Sequence, residues 1–375
     1  MATEYEIMDK VKETPLDQAS RRDFLLREKG PVDSAVILQN PFLSLYTLDF
    51  VNNEAVFVET PPEVDLCLEQ FYYIAQYEHA LRVIGVPIEE MVSLGRDLPL
   101  DDQKLVFIYS TGRAGSTLAG QIFAQLDGVA NISEPDALTD LVAYRHFYPE
   151  NKVELNDLAN AVVRLMCQVK APGGHVIKGR SFAIEIGDIL YDLFPAAKIV
   201  FLYRDAKSYM FSSLRAYDDG IQRSEEEFKQ FLVELRAWAE TLIPLLADVP
   251  DDHWLSPTAL VMYAWLSPMH QYVKLYEEGV PMLAIDYDSW LAAPRETAVA
   301  MLDYCGMAPS DLTAVYAALE QDSQAGTVLS RNAVKEHHAF LDMADPDELN
   351  DLLETQPLIN TADFVAPNTL SLASG

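Results

Sequence analysis

The sequence is poor in cysteine and in positive charge. Its three cysteines, Cys67, Cys167 and Cys305, are odd in number and far apart. They can build neither a disulfide framework nor a CxxC zinc pattern, so a reducing, cytosolic setting is expected. Lys and Arg number 27 against 58 Asp and Glu, a formal net charge of −31. That balance argues against general nucleic-acid binding and against docking on an anionic membrane, both of which need basic surface. Long apolar runs are missing too: the longest, around Thr258 to Leu266, is about half a membrane span. Met1-Ala2-Thr3-Glu4-Tyr5-Glu6 has neither a basic nor an apolar signal region. Seven histidines without HxxxH or HExxH spacing give no expected metal site. No internal repeat is visible. What remains is a core-forming composition, 50% hydrophobic and 23% charged over 375 residues. It fits two domains or one large α/β domain with an extension.

The first hundred residues are mixed. Glu54-Ala55-Val56-Phe57-Val58-Glu59 reads as a strand, and a helical pattern runs from about Leu66 to Ile84 with Tyr73, Tyr77, Leu81 and Ile84 on one face. Gly95–Asp102 is a polar connector, which sets a boundary near residue 100. Beyond it, short β-branched runs alternate with helical periods. Leu105–Tyr109, His175–Ile177, Lys198–Tyr203 and Pro281–Ile285 read as strands, and about Glu225–Leu246 and Thr258–Glu277 as long helices. Continuous apolar strands alternating with helices predict a parallel sheet covered on both faces. Ligands in such folds bind at the carboxyl ends of the strands. The apolar content of residues 1–100 is too scattered for a core of its own, so this segment is expected to pack onto the rest.

The residues after the strands carry the chemistry. Ser110-Thr111-Gly112-Arg113-Ala114-Gly115-Ser116-Thr117 follows the first of these strands and opens a helix. Its glycines allow a tight turn, and its N–H groups, hydroxyls and arginine suit an anion. The plain alternative is a polar turn with a serine N-cap. It is not a Walker A loop, because Gly112 and Gly115 are too close and no lysine follows. Lys178-Gly179-Arg180-Ser181 and Arg204-Asp205-Ala206-Lys207-Ser208 follow the next two strands. Cations at three successive strand ends of so acidic a chain predict a positive pocket for a multiply charged anion.

Thr111–Leu118 resembles the 5′-phosphosulfate loop of sulfotransferases that use 3′-phosphoadenosine 5′-phosphosulfate (PAPS). Tyr203-Arg204-Asp205, with Ser212 eight residues after Arg204, resembles their 3′-phosphate element. Lys178 falls where the family carries a lysine on the intervening strand. Asp286-Tyr287-Asp288 with Pro294 is similar to the segment near the adenine, and Asp322-Ser323-Gln324 with Arg331 to the segment that closes over the nucleotide. The resemblance covers about residues 104–335. It implies a three-layer α/β/α fold with a central parallel sheet, related to the nucleotide kinases. The chain is thus expected to divide into a core over 101–340, a packed extension over 1–100 and a tail over 341–375. PAPS would be the cofactor and PAP (3′,5′-adenosine bisphosphate) the product. Arg113 would contact the sulfuryl group, and Ala114, Gly115, Ser116 and Thr117 would cradle the 5′-phosphosulfate. Lys178 would neutralise the leaving phosphate, Arg204 and Ser212 would bind the 3′-phosphate, and Tyr287, Ser323 and Arg331 would complete the nucleotide site.

Transfer to a hydroxyl or amine needs a base. Cytosolic small-molecule sulfotransferases place a histidine two residues beyond the strand-end lysine, where this chain has Arg180, and a guanidinium accepts no proton at neutral pH. Glu134, in Ile132-Ser133-Glu134-Pro135 and 21 residues past Arg113, resembles the catalytic glutamate of tyrosylprotein sulfotransferases. It is therefore the expected base, with helix capping as its alternative role. His253 and His270 are the remaining candidates. Arg215 to Tyr276, with Tyr217, Trp238, Trp254, Tyr263, Trp265 and Tyr272, reads as acceptor pocket or as helix packing. The acidity reads as solubility or as steering of a cationic natural product. The expected activity is in-line sulfuryl transfer to a small-molecule hydroxyl or amine. An atypical phosphotransferase, with Asp205 and Asp286 holding a metal, and a non-catalytic nucleotide-binding protein stand as alternatives.

Overall fold

The computed structural model describes residues 1–372 apart from 13, 15, 218–224, 251–254 and 326–340. Ten strands are formed: β1 (Ala2–Lys10), β2 (Phe24–Val32), β3 (Leu43–Asp49), β4 (Glu54–Glu59), β5 (Arg82–Pro87), β6 (Leu105–Ser110), β7 (Val129–Ser133), β8 (Gly174–Lys178), β9 (Lys198–Tyr203) and β10 (Met282–Asp286). The helices before residue 200 are α1 (Val36–Gln39), α2 (Tyr72–His79), α3 (Ile88–Arg96), α4 (Ser116–Ala124), α5 (Asp136–Phe147), α6 (Lys152–Met166) and α7 (Gly187–Leu193). They are followed by α8 (Ala206–Tyr217), α9 (Glu225–Glu240), α10 (Pro257–Glu277), α11 (Tyr287–Ala292), α12 (Pro294–Tyr304), α13 (Thr313–Leu319) and a last helix, Pro346–Glu354.

β6–β10 form a parallel sheet in the order β10-β9-β6-β8-β7. The uninterrupted apolar runs have a direct cause: every residue of β6 is buried. Leu105, Phe107, Tyr109, Ile199, Phe201 and Tyr203 face one way, onto Leu141 of α5, Val162 of α6, Leu190 of α7, Met210 of α8 and Trp265 of α10. Val106, Ile108, Val200 and Leu202 face the other way, onto Phe123 of α4, Trp290 of α11, Met301 of α12 and Val315 of α13. Period-two alternation thus sorts one sheet into two apolar interfaces, and each fully buried large side chain contributes about 1.5–3 kcal/mol. This is the three-layer α/β/α arrangement. The edge strand β10 is covered by the tail, whose Leu370 N donates to Ala284 O at 2.8 Å while Ala284 N donates to Asn368 O at 3.2 Å.

Residues 1–100 do more than wrap. β1–β5 form an antiparallel sheet in the order β2-β1-β5-β4-β3. The scattered apolar residues are its alternation: Leu45, Ala55, Phe57, Ile84 and Val86 join the main core, while Tyr5, Phe24, Tyr46, Val56, Val58 and Val83 form a smaller cluster with Phe71 and Tyr73. The expected helix over 66–84 shortens to α2, because Arg82–Pro87 pairs between β1 and β4. Strand pairing overrides a short helical period there.

In the segment 215–276, Trp265 and Tyr272 are core residues of α10, and Tyr272 stacks on Phe201 at 4.4 Å. Trp238 sits half-exposed, edge-on to Phe182. Helix packing therefore accounts for Trp265 and Tyr272. Trp254 and the side chain of Tyr217 lie outside the described residues. Among the described residues, no helix is long and apolar enough to cross a membrane.

Glu185 is buried against the same core, its Oε1 accepting from Ser267 Oγ at 2.7 Å. Burial pushes its carboxyl up to about 7, against the opposing pull of Ser267 and Arg145. The native state therefore holds a proton that the unfolded chain releases, and stability falls as pH rises between about 4.5 and 7. Glu185→Gln is expected to lose about 2 kcal/mol less than the parent between pH 5 and pH 8. Urea unfolding at the two pH values measures this, and parallel losses in both proteins would contradict it.

Candidate active site

The chain leaves β6 toward α4 on one face of the parallel sheet and leaves its neighbour β9 toward α8 on the other. Adjacent strands whose helices diverge in this way open a crevice at their carboxyl ends, the usual ligand position in such sheets. Three loops meet there. Thr111 N donates to Leu202 O at 3.0 Å and Gly179 N to Ile108 O at 3.1 Å, tying the exits of β6, β9 and β8 together. The ends that carry Arg113, Lys178 and Arg204 thus lie side by side.

The loop after β6 turns through left-handed backbone at Gly112 (φ 80°), Arg113 (φ 53°) and Gly115 (φ 82°). Gly115 sits at the N-cap of α4, and no side chain among the described residues caps that helix. Its first N–H groups, at Ser116 and Thr117, are available to an anion. A Cβ on Gly115 would lie 3.1 Å from the Tyr287 ring. Gly115→Ala is expected to cost about 1–2 kcal/mol, from the left-handed backbone and the displaced ring. An unchanged urea midpoint would contradict this.

Arg113 reaches across the crevice. Its Nε donates to Ser212 Oγ of α8 at 3.2 Å and its Nη1 to Gln324 Oε1 at 3.3 Å. Gln324 Nε2 in turn donates to Thr117 Oγ1 at 3.4 Å, and Gln121 Nε2 to Ser323 O at 3.0 Å. The closing segment Asp322–Ala325 thus lies against the loop and α4. Ala114 is fully buried. The Arg204 guanidinium lies over the Tyr287 ring at 4.9 Å, and Trp265 Nε1 donates to the Arg204 carbonyl at 2.8 Å. Arg204 Nε is buried without a hydrogen-bond partner among the described residues. A buried orphan donor carries a desolvation cost of about 1–3 kcal/mol that an anion would relieve. Asp205, Asp286, Asp288 and Asp363 line a neighbouring hollow of about 240 Å³ with Tyr203 and Thr369.

At the far side, β7 and β8 run parallel with Ser133 opposite Lys178. Glu134 follows β7 with φ 58°, and its N–H donates to Lys178 O at 2.6 Å. Its Oε1 accepts from Lys178 Nζ at 2.5 Å; the lysine side chain is 0% exposed and the glutamate 18%. Among the described residues only Asn53, Arg113, Glu134 and Asn368 are non-glycine residues with positive φ. Two of the four are candidate catalytic groups, and such strain persists where surrounding structure imposes it. Helix capping does not describe Glu134: it precedes Pro135, the N-cap of α5, and its carboxylate turns to Lys178.

Arg180, two residues beyond Lys178, is buried and paired with Asp136. Phe71, from the first hundred residues, has its ring 5.9 Å from Lys178 Nζ. Gln324, Asp136 and Phe71 are additions that sequence reasoning did not supply as site residues. Gln324 stood inside a recognised segment, whereas Phe71 had no motif to mark it. His270 lies in α10, where burial lowers its pKa and leaves Nε2 without a hydrogen-bond partner among the described residues. Arg331 and His253 lie outside the described residues. Among the described residues, no three His, Cys, Asp or Glu side chains are grouped to hold a metal ion. Asp205 and Asp286 instead cap α8 and α11 through the N–H groups of Ser208 and Ser289.

No protein-family model and no curated protein matches the chain. Among solved structures it is similar to sulfotransferase STF9 from Mycobacterium avium, at 10% identity over 72% of this chain and 81% of that one, with a TM-score of 0.39. A sulfotransferase from Alicyclobacillus acidocaldarius matches at 15% identity over 55% and 81%, with a TM-score of 0.35. A retinol dehydratase, solved in a complex with retinol and PAP, matches at 16% identity over 72% and 85%, with a TM-score of 0.35.

Proposed function

We propose that the protein is a PAPS-dependent sulfotransferase that moves a sulfuryl group to a hydroxyl or amine of a small-molecule acceptor, with Glu134 as general base. The observation that carries this reading is the meeting of an uncapped glycine-rich loop with the Glu134–Lys178 pair at the ends of neighbouring strands. The residues fit the cofactor. The uncapped start of α4 suits a 5′-phosphosulfate, and the orphaned Arg204 Nε with Ser212 on the facing helix suits a 3′-phosphate. Tyr287, held between Gly115 and Arg204, stands beside both phosphate positions, and the motif assigns its segment to the neighbourhood of the adenine. Ser323 and Gln324 close the loop side, and Arg331 is assigned to the same closure by the motif alone.

When bound, PAPS supplies a sulfuryl group whose leaving group is a phosphate. Arg113 places a fixed positive charge beside the loop, where negative charge grows during transfer. Lys178 has three donors, so it would hold Glu134 and, once its enclosed side chain turns toward the nucleotide, offer a hydrogen to the leaving phosphate oxygen. Glu134 keeps part of its carboxylate open to solvent, and there it takes the acceptor proton as the new bond forms. Its left-handed backbone fixes where that oxygen points.

The test is transfer from ³⁵S-labelled PAPS to a panel of phenols, alcohols and amines, with a metabolite extract alongside. Labelled product is expected. If neither the panel nor the extract acquires label while the folded protein binds PAP, the enzyme reading is wrong and a binding protein remains.

A further inference from the structure

On the sulfotransferase reading above, we propose that Arg180 and Asp136 are a positioning pair for Glu134 and Lys178, and that this pair makes the β1–β2 connection and the start of α2 part of the transfer machinery. Two acid–base pairs stand side by side where β7 and β8 end. Glu134 meets Lys178, and two residues beyond each of them Asp136 meets Arg180 as an ion pair, Nε to Oδ1 at 2.9 Å, although Arg180 Nε is not aligned to hydrogen-bond any described residue. The inner pair is open on its glutamate side only, with Glu134 18% and Lys178 0% exposed. The outer pair is sealed, with side chains 10% and 0% exposed. Arg180 is engaged by Asp136, Leu16 O and the Tyr73 ring, so its charge serves the protein itself.

The sealed pair is gripped from the N-terminal side. Asp136 Oδ2 accepts from Ala19 N at 2.7 Å, and its Oδ1 from Thr139 Oγ1 at 3.0 Å. Arg180 Nη2 donates to Leu16 O at 3.2 Å, and its guanidinium lies 4.3 Å from the centre of the Tyr73 ring. Ser133 Oγ donates to Gln70 O at 2.6 Å, and Phe71 lies beneath Lys178. Gln70, Phe71 and Tyr73 thus touch Ser133, Lys178 and Arg180, three consecutive features of the strand ends. Burial disfavours the guanidinium charge, but Asp136, Tyr73 and Glu134 more than restore it and raise its pKa.

A sealed ion pair is a poor source of stability, since apolar replacements of similar size are often as good or better. What the pair supplies here is geometry. Glu134 holds a left-handed backbone between Lys178 O on one side and Pro135–Asp136 on the other. A non-glycine residue keeps such a conformation only when its neighbours impose it. Asp136, hydrogen-bonded by Ala19 N and Thr139 Oγ1 and ion-paired with Arg180, is the neighbour that imposes it.

The test compares full-length Arg180→Met/Asp136→Leu, and separately Arg180→Lys, with the parent. Each is made with Glu134 intact and with Glu134→Gln. Thermal melting, PAP titration and single-turnover transfer from ³⁵S-PAPS to the acceptor found by screening are measured. The apolar double replacement is expected to keep PAP affinity within about threefold and to slow transfer by roughly 30-fold or more, the scale of a misplaced reacting group. Arg180→Lys, which keeps charge and stem but not the fork, is expected to slow it by roughly 5-fold. In the Glu134→Gln background neither change should slow the residual transfer further, because the pair acts through Glu134. A merely structural pair would cost the same in both backgrounds, and that result overturns the proposal, as does undiminished transfer. If the double replacement fails to fold, the Arg180→Lys comparison decides alone. A parent without transfer activity removes the sulfotransferase reading and this proposal with it. An active parent silenced by Glu134→Gln but indifferent to Arg180 removes only the proposal.

Discussion

Glu134→Gln is expected to slow sulfuryl transfer by ~10²–10⁴-fold while PAP affinity changes by less than about threefold. Glutamine matches the size of glutamate and can still accept a hydrogen bond from Lys178, so the backbone turn and the 2.5 Å contact have a substitute. It cannot take a proton from a hydroxyl or ammonium group. The loss should therefore fall on the rate constant of transfer and leave nucleotide binding in place. Glutamine also removes the negative charge beside Lys178, which frees the ammonium for the phosphate, so any change in PAP affinity should be toward tighter binding. Near-normal turnover would move the base elsewhere, with His270 the first described residue to examine.

Arg204→Ala is expected to weaken PAP by about 100-fold and to leave 5′-AMP nearly untouched. The guanidinium lies on Tyr287 with a buried Nε that lacks a partner among the described residues. A charge-assisted hydrogen bond to a phosphate is worth about 1.5–3 kcal/mol, and a guanidinium can make two. Arg204→Lys should recover only part of the loss, because an ammonium neither forks nor stacks as a guanidinium does. Equal weakening of PAP and 5′-AMP would show that Arg204 serves the loop or the ring rather than the 3′-phosphate.

Much of this arrangement can be read in the chain, for physical reasons. Strands buried on both faces need unbroken apolar runs, so β6, β8, β9 and β10 stand out from their surroundings. The turn after β6 declares itself through Gly112 and Gly115, where left-handed backbone favours glycine. β7 is harder to see. It is an edge strand whose Ala130, Asn131 and Ser133 lack β-branched bulk, although all three are buried. The antiparallel sheet of the first hundred residues hid because alternation spreads its apolar residues over two faces. β5 lies close enough behind α2 for the two to read as one helical period. Glu134 entered through its resemblance to the catalytic glutamate of tyrosylprotein sulfotransferases, while its left-handed backbone and its pairing with Lys178 depend on the register of β7 against β8. Arg180 illustrates the limit best. Its side chain rules out a base, yet its partner, Asp136, and its supports at Leu16 and Tyr73 come from distant parts of the chain.

The central claim is that cations at the ends of β6, β8 and β9 form one seat for an adenosine bearing phosphates at both the 3′ and 5′ positions. Calorimetric titration of the full-length protein with PAP, 5′-AMP and ATP tests it directly. PAP is expected to bind at least about 100-fold more tightly than 5′-AMP, with ATP no better than 5′-AMP and no response to added Mg²⁺. Binding of ATP in preference to PAP, or no measurable PAP binding to the folded protein, would contradict the account.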